Sequence, residues 1–446
     1  MQFPERDELN QLVHDILGEA KSQGAAHAEA GVSISAGLST TVRMGEVETI
    51  EHNRDKGLAV TVYLEGKDGM HKGNASTSDL SASAIRETVK AACNIARFTS
   101  PDQCAGLAPD NLMASNIPDL DLYHPWNISP EQSIELAREC EQAALEMDAR
   151  IDNSDGATLS SHEGYRAYGN SHGFLGAYPS TRHGLSCVVI AKDGESMERD
   201  YWYSSTRDAQ EMENPIKTGR KAGERTLKRL NAQHLTTRQC PVIYSADIAS
   251  SLLGHFIGGI RGGALYRKST FLLDSLGEPV FPEFIQLEEQ PHLVKAMGSA
   301  PFDSDGVVTQ RHHIVRDGRV ESYVLDAYSA CQLGMQTTGN AGGVHNLTIQ
   351  PGQDDLAGLV KQMNTGLLIT ELMGQGINMV TGDYSRGAAS FWVENGEIQY
   401  PVHELTVAGN LKEMFKQIVA VGNDVDLRGN TRTGSILLEN MAIAGD

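Results

Sequence analysis

Glycine accounts for 45 of the 446 residues, about one in ten, which exceeds its usual share of a globular chain. A backbone with this much glycine makes many tight turns and close approaches, as antiparallel β-structure requires. Hairpin-type turns are predicted at Asp317-Gly318, Gly339-Asn340 and Asn395-Gly396. Because amphipathic helices are also present, we expect an α+β fold.

Changes in hydrophobic period divide the chain into three segments. Residues 1–100 predict an N-terminal α+β domain with a mixed or antiparallel sheet and helices near 5–23 and 79–98. Residues 101–230 predict a proline-rich linker, a helix and a β meander that complete the N-terminal half. Residues 231–446 predict a larger β-rich C-terminal domain.

Local signals refine this organisation. The prolines between residues 100 and 130 indicate an extended, wrapping segment. Ser129, Pro130 and Gln132 have the pattern of a capped helix start. The remaining helices are predicted near 130–147, 215–230, 245–260, 356–363 and 411–415.

Net charge and hydropathy exclude several classes of protein. Asp and Glu total 58 against 37 Lys and Arg, giving a net charge of −21. An acidic chain without a basic run repels phosphate backbones, so direct nucleic-acid binding is disfavoured. No window holds eighteen consecutive apolar residues, which argues against a membrane-spanning helix. Residues 1–8 lack the pattern of a signal peptide, so a cytoplasmic location is expected.

The six cysteines are far apart, and none belongs to a CxxC motif. In a long chain without a signal peptide, we expect reduced thiols in the protein core. They are Cys93, Cys104, Cys140, Cys187, Cys240 and Cys331.

Two His-Glu pairs, His162-Glu163 and His403-Glu404, invite comparison with zinc-peptidase helices. Such a helix needs a second histidine about one turn later, and neither pair has one four or five residues on. Both pairs lie in strand-like sequence. Both histidines are therefore interpreted as surface residues.

Three further candidates are weak. Residues 169–173 spell G-x-S-x-G, but strand-like flanks favour a hairpin over a nucleophile elbow. His312 and His313 are adjacent, so on a strand they point to opposite faces and should not share a metal. His345 lies in a glycine-rich loop that could line a cavity, although a lone histidine is more often structural.

Residues 254–263 contain five glycines in ten positions. Gly254, Gly258 and Gly262 recur every four residues, so one helix would carry a bare stripe that another backbone could approach. Each glycine costs a helix about 1 kcal/mol relative to alanine. The segment therefore indicates a specific packing requirement, or a site once occupied by something else.

Several other long motifs accompany this segment, and together they cover most of the chain. They are residues 340–343, 371–376, 381–388, 392–396 and 421–424. With these motifs in this order, the chain resembles the TldD/PmbA family of cytosolic bacterial proteins, also called modulators of DNA gyrase. The resemblance is nearest to the PmbA (TldE) branch.

In that family the TldD-type subunit resembles a zinc peptidase, with an HExxxH helix and a cysteine ligand near the C-terminus. Placed on this pattern, the chain has Gly254, His255 and Gly259 at the HExxxH positions, and no cysteine follows Cys331. The resemblance therefore assigns no catalytic, cofactor-binding or metal-ligating residue to this chain. It implies that zinc belongs to the TldD-type partner.

The resemblance implies a non-catalytic subunit of a TldD/TldE-type metallopeptidase that processes unfolded peptides, such as antitoxins or peptide-antibiotic precursors. The expected partners are a TldD-type subunit and unfolded peptides, with a homo- or heterodimer as the assembly. One alternative is a peptidase active by itself through ligands such as His345, Glu371 or Asp383. Another is a regulatory module acting on gyrase or an RNA-binding regulator. Whether the chain itself is an enzyme stays open.

Overall fold

The computed structural model describes residues 6–445 and has the predicted α+β character, with helices packed against extensive sheets. The helices are α1 (Arg6–Ser22), α2 (Ala82–Phe98), α3 (Pro130–Leu145), α4 (Pro215–Arg229), α5 (Ala246–Gly259), α6 (Gly262–Tyr266), α7 (Ala327–Gln332), α8 (Leu356–Met363) and α9 (Leu411–Lys416). Short 3-10 helices lie at Asp110–Leu112 and Ala209–Glu211.

The strands of the N-terminal half are long, and those of the C-terminal half are mostly shorter. The former are β1 (His27–Arg43), β2 (Glu46–Gly66), β3 (Gly69–Thr77), β4 (Ile151–Asn170), β5 (Leu175–Asp193) and β6 (Ser196–Thr206). The latter are β7 (Arg238–Tyr244), β8 (Leu287–Glu289), β9 (His312–Arg316), β10 (Arg319–Val320), β11 (Leu347–Ile349), β12 (Gly366–Met373), β13 (Asp383–Glu394), β14 (Glu397–Asn410), β15 (Ile418–Val421), β16 (Thr431–Arg432) and β17 (Ile436–Ala444).

The helix predictions are confirmed to within a few residues, whereas the short helices α6 and α7 were not predicted. Ser129 and Gln132 form the expected capping box at the start of α3. Residues 1–5 lie outside the described residues; they include most of the stretch in which no signal peptide is expected and the first residue of the helix predicted over 5–23. Within residues 6–445, every helix is too short or too polar to cross a bilayer.

The N-terminal half is built on one antiparallel sheet with strand order β3-β2-β1-β4-β5-β6. Its central pairing joins β1 to β4, from Glu29 opposite Asn170 to Val42 opposite Ala157. Helices α1 and α2 bury one apolar core, and α3 and α4 bury another. Residues before and after the proline-rich segment therefore share one sheet.

A buried carboxylate fixes the tip of the long β1–β2 hairpin. Met44 and Gly45 both have positive φ, 50° and 78°, as the tight hairpin turn requires. Their backbone N–H groups donate to the two carboxylate oxygens of Glu141 on α3, each at 2.9 Å. Glu141 is 1% exposed, so these bonds satisfy a charge that is removed from water.

The C-terminal half contains a sheet with strand order β14-β13-β12-β7-β17-β15. Because β14 also pairs with β17, the hydrogen-bonded strands close into a ring. Successive residues of β7 face opposite sides: Tyr244 packs in the core with α5, whereas Ile243 packs in the core with α8. A smaller sheet, with order β10-β9-β8-β11-β16, lies beside it.

The proline-rich segment is extended, as its composition predicts, and it also contacts the C-terminal half. Its backbone bonds to the C-terminal half through Ala114 N–H to Gly306 C=O at 3.0 Å, and through Lys295 N–H to Leu120 C=O at 2.9 Å. Met113 also forms an isolated bridge with Val307. The segment is extended because its prolines remove backbone donors and disfavour helix.

The expectation that all cysteines are reduced core thiols is wrong for two of them. Cys104, in the wrapping segment, forms a disulfide with Cys331 on α7, across a sequence separation of 227. The chain path brings these distant residues together, and no local motif announces it. Cys93, Cys140, Cys187 and Cys240 are buried free thiols, as expected.

The turn predictions are confirmed at two of three positions. Asp317-Gly318 connects β9 to β10, and Asn395-Gly396 connects β13 to β14, with positive φ at all four residues. Gly339-Asn340 is not a hairpin, because it lies in the long connection between α7 and β11. There the Asn340 side chain is buried and bonds to the carboxylate of Glu289 at 2.8 and 2.9 Å.

Asp305 lies where a loop of the C-terminal half packs against the N-terminal sheet. Its carboxylate accepts a hydrogen bond from the backbone N–H of Ala327 at 3.1 Å. Burial, together with the neighbouring charges of Asp303 and Glu29, raises the pKa of Asp305 to about 7. Ionisation of the Asp305 carboxyl group therefore destabilises the folded state at neutral pH.

The hydrogen bonds at the β1–β2 hairpin tip predict that Glu141→Ala lowers the free energy of unfolding by about 1–3 kcal/mol, because two backbone N–H groups lose their buried acceptor. The measurement is urea-induced unfolding. Glu139→Ala, on the exposed face of the same helix, is the matched control and should change stability by less than about 0.5 kcal/mol. Equal effects of the two variants would contradict a stabilising role for the Glu141 hydrogen bonds at the hairpin tip.

The raised pKa of Asp305 predicts a pH-dependent stability. A carboxyl whose folded-state pKa is raised favours folding fully below its unfolded pKa, and this contribution is lost as pH rises through about 7. Asp305→Asn should therefore stabilise the chain relative to wild type by on the order of 1–2 kcal/mol at pH 8, and less at pH 5. Thermal melts across pH 5–8 measure this, with exposed Asp68→Asn as control. A pH-independent difference would refute the assignment.

Candidate functional site

Helix α5 holds the segment that the sequence aligns with a zinc-peptidase helix. It follows β7 directly, and Ser245, the residue before its first turn, donates its hydroxyl to the carboxylate of Asp247. Its apolar side carries Leu252, Leu253 and Phe256 into the main core of the C-terminal half. The position of α5 is therefore fixed by packing, and its opposite side is available for function.

The glycines of α5 do not form the backbone-contact stripe that their spacing suggests. Gly254 is exposed, and a Cβ added there would meet nothing within 4 Å. A Cβ on Gly258 would lie 3.3 Å from the terminal methyl of Met379, which is a flexible side chain rather than a backbone. We call Gly254, Gly258 and Met379 the glycine face.

The glycine spacing predicts one continuous helix over residues 254–263, and this prediction is wrong. Helix α5 ends at Gly259, and α6 begins at Gly262. Between them, Arg261 pairs with Val324 in an isolated bridge. A Cβ on Gly262 would lie 2.1 Å from the hydroxyl of Ser329, so this glycine is required by packing against α7.

His255 is the single imidazole in the aligned segment. Its Nε2 is buried without a hydrogen-bond partner, and its ring meets that of Tyr384 edge-on at 6.0 Å. Burial, and then the positive charge of Arg386, lower the pKa of His255 below its usual value. The imidazole is therefore neutral at pH 7.

This donor set does not fit a catalytic zinc ion. Such an ion takes three protein ligands and a water, whereas Gly254 and Gly259 have no side-chain donor. Arg386 adds a positive charge beside His255, which disfavours a bound cation. Among residues 6–445, the group of ligating side chains that does converge lies elsewhere, at His234, His403 and Glu404.

The three residues of the self-sufficient peptidase alternative are not brought together. Glu371 pairs with Arg229, and His345 Nδ1 lies 2.9 Å from a carboxylate oxygen of Glu289. Asp383 is exposed, and hydrogen bonds from Thr381 and Asn410 lower the pKa of its carboxyl. Each residue has a local structural partner.

The remaining sequence candidates have structural roles. In the G-x-S-x-G segment, β4 turns into β5, and the hydroxyl of Ser171 accepts from the backbone N–H of Ala28 at 3.1 Å. Positive φ occurs in that turn only at Gly173. His162 is exposed, as predicted.

The adjacent histidines on β9 face different carboxylates. His312 Nε2 lies 3.6 Å from Glu289, and His313 Nε2 lies 3.9 Å from Glu288. The two side chains thus approach different carboxylates, as adjacent positions on a strand predict, and both are half-buried.

The interpretation of His403 as an isolated surface residue is wrong. It is half-buried, and its ring centroid lies 4.8 Å from that of His234. The sequence separation of these histidines hides the pairing, and helical spacing rules cannot find it. The dipeptide His403-Glu404 was the available signal.

The comparisons with known proteins cover nearly the whole chain. The sequence matches PmbA/TldA metallopeptidase domain 1 over residues 28–96, the central domain over 123–230 and the C-terminal domain over 237–445. Metalloprotease PmbA of Escherichia coli O157:H7 is 51% identical over 429 residues, covering 96% of this chain and 94% of that protein.

Solved structures with the same fold include one from Bacteroides thetaiotaomicron and one from Thermococcus kodakarensis. A proposed modulator of DNA gyrase from Bacteroides thetaiotaomicron superposes with a TM-score of 0.93 at 29% identity, covering 99% of both chains. TldE from Thermococcus kodakarensis superposes with a TM-score of 0.84 at 20% identity, covering 97% of this chain and 100% of that one. At this level of identity, the similarity to TldE shows a shared fold only.

The packing of α5 predicts opposite effects for two glycine substitutions. Gly254→Ala should stabilise the chain by about 0.5–1 kcal/mol, because the site is open and alanine favours helix. Gly259→Ala should destabilise it by about 1–3 kcal/mol, since its Cβ would lie 2.8 Å from Leu272 Cδ1. Urea unfolding of both variants measures the contrast, and destabilisation by Gly254→Ala would show that this face is not open.

Proposed function

Because the chain belongs to the PmbA/TldD metallopeptidase family, we propose that it is the subunit of a TldD/TldE-type peptidase that does not carry the catalytic zinc. A TldD-type partner supplies that metal. The present chain completes the chamber in which unfolded peptides are held, and the assembly is cytoplasmic.

The observation that carries this proposal is the chemistry of α5. The helix is retained and well packed, but the aligned positions hold Gly254, His255 and Gly259 instead of three metal-site side chains. The one imidazole is neutral and lies beside a guanidinium. A chain that keeps the helix and lacks its donors suits a structural partner of an active subunit.

The glycine face suits assembly with such a partner. Gly254 presents bare backbone to solvent, and nearby Val380 on the β12–β13 loop is 57% exposed. Apolar, side-chain-poor surface of this kind allows a second chain to approach closely. This supports a dimer to which the C-terminal half contributes, as a homodimer or with the TldD-type subunit.

An unpaired strand edge suits unfolded peptides as substrates. Strand β3 pairs with β2 only from Leu58 to Gly66, so among the described strands residues 46–57 have a partner on the β1 side alone. An extended peptide can add to such an edge through main-chain hydrogen bonds, which require no particular side chains. This fits degradation or processing of diverse unfolded segments.

The test is reconstitution with the TldD-type protein of the same organism. We expect the two proteins to co-purify, and we expect cleavage of an unfolded peptide only when both are present. A partner variant without its HExxxH histidines is the negative control. Cleavage by the present chain alone, with zinc supplied, would overturn the proposal.

His255→Ala refines this test within the present chain. Because a single neutral imidazole cannot hold a catalytic zinc, the variant should leave cleavage by the reconstituted complex within about twofold of wild type, with a small stability loss from lost packing. Peptidase assays and thermal melts measure the two effects separately. Loss of cleavage in a folded, assembled complex would show that this subunit takes part in the chemistry.

A further inference from the structure

We propose that His234, His403 and Glu404 form a binding site for a divalent transition-metal ion, with zinc as the probe of choice. The nearest ligating atoms of the three side chains all lie within 4.8 Å of one another. His234 Nδ1 is 3.7 Å from a carboxylate oxygen of Glu404. The site is distinct from α5, and it requires neither the TldD-type partner nor peptidase activity.

A β-bulge places two consecutive residues beside the same neighbour. Adjacent residues of a regular strand point to opposite faces, so His403 and Glu404 would ordinarily diverge. Here Val402 pairs with Ser390 and Leu405 pairs with Ala388, leaving two residues of β14 opposite one of β13. Bulges of this type redirect side chains.

The backbone at Glu404 is in an unfavourable conformation. Its φ is +52°, in the left-handed region that residues other than glycine and asparagine rarely occupy. Glutamate has no local bonding advantage there, and a glycine would adopt the same φ at lower cost. A glutamate side chain at this position is consistent with a requirement for its carboxylate beside His403.

The connection between α4 and β7 holds His234 against the bulge. Gln233 donates its backbone N–H to Pro401 at 2.9 Å and accepts from the N–H of His403 at 3.3 Å. These two bonds pin the residue preceding His234 to the strand on both sides of Val402. The two imidazoles therefore face each other through backbone constraints, without relying on the mobility of long side chains.

The donor set selects the class of metal. Two imidazoles and a carboxylate are ligands that zinc accepts, and imidazole also suits copper and nickel. Magnesium and calcium prefer oxygen ligands throughout, so they fit poorly. Ligands around one zinc ion lie about 3.3 Å apart, given metal–ligand distances of about 2 Å. Small rotations of the side chains of His234, 52% exposed, and Glu404, 66% exposed, close that gap.

A bound ion would add a further link between the α4–β7 connection and the C-terminal sheet, beside the backbone bonds of Gln233. His234 belongs to the connection that leaves the N-terminal half, and the other two ligands belong to the C-terminal sheet. The ion would thus hold the connection between α4 and β7 against the C-terminal sheet, as a structural metal ion does.

The experiment is zinc binding to the purified full chain, measured by competition with a chromophoric chelator and by thermal melts with and without zinc. We expect one zinc ion per chain and a melting temperature that rises with zinc concentration. His234→Ala and His403→Ala should each weaken binding at least tenfold. His14→Ala, which removes an exposed histidine on α1, should bind as wild type does.

Glu404→Gly separates loss of a ligand from loss of folding. It removes the carboxylate and relieves the positive φ, so the metal-free variant should melt at or above the wild-type temperature while its response to zinc falls. Cobalt substitution adds a spectroscopic check, because its visible spectrum should change in the histidine variants.

Three outcomes would overturn the site. They are a wild-type chain whose melting is unaffected by zinc, histidine variants that retain wild-type affinity, and zinc binding that is lost in His255→Ala instead. The last outcome would also count against the proposed function, whereas the first two leave that proposal intact.

Discussion

Two arginines of α4 hold the halves of the molecule together, and the geometry of the candidate site depends on them. Arg225 pairs with Asp200 of β6 at 3.3 Å and with Asp247 of α5 at 3.2 Å. Arg229, one turn later, pairs with Glu198 of β6 at 3.5 Å and with Glu371 of β12. Asp200 is 3% exposed and lies near both guanidinium groups, so breaking this buried network costs far more than breaking an exposed ion pair. The network fixes the first turn of α5 relative to the N-terminal sheet.

This anchoring fixes the position of α5 without any contribution from a metal-binding side chain. The buried side of the helix, with Leu252 and Phe256, and its charged first turn at Asp247 determine its position. The residues that face away, Gly254 and Gly258, have no side chain that could anchor the helix. The position of α5 and the chemistry that it can present therefore depend on opposite sides of one helix.

Sequence patterns correctly predicted features that depend on interactions between residues close in sequence. The capping box of Ser129 and Gln132 and the Asn395-Gly396 hairpin depend on neighbouring residues, so a linear pattern suffices. The pairing of β1 with β4, and the disulfide between Cys104 and Cys331, join residues more than a hundred positions apart, and composition does not reveal them. The glycine spacing of 254–263 misled for a related reason: period alone cannot tell that Arg261 leaves the helix to pair with Val324. Family resemblance supplied the function that pattern could not.

The His403-Glu404 pair shows a feature of this chain that helical and strand spacing rules do not predict. Helical spacing correctly excludes a zinc-peptidase helix there, and regular strand geometry would separate the two side chains. Both arguments assume a regular element, and the bulge opposite Ala389 is not one. A positive φ at Glu404 and the bonds from Gln233 then bring a third ligand from the interdomain connection. The chemistry of such a site follows from an irregularity, so it becomes visible only once the register of β13 and β14 is known.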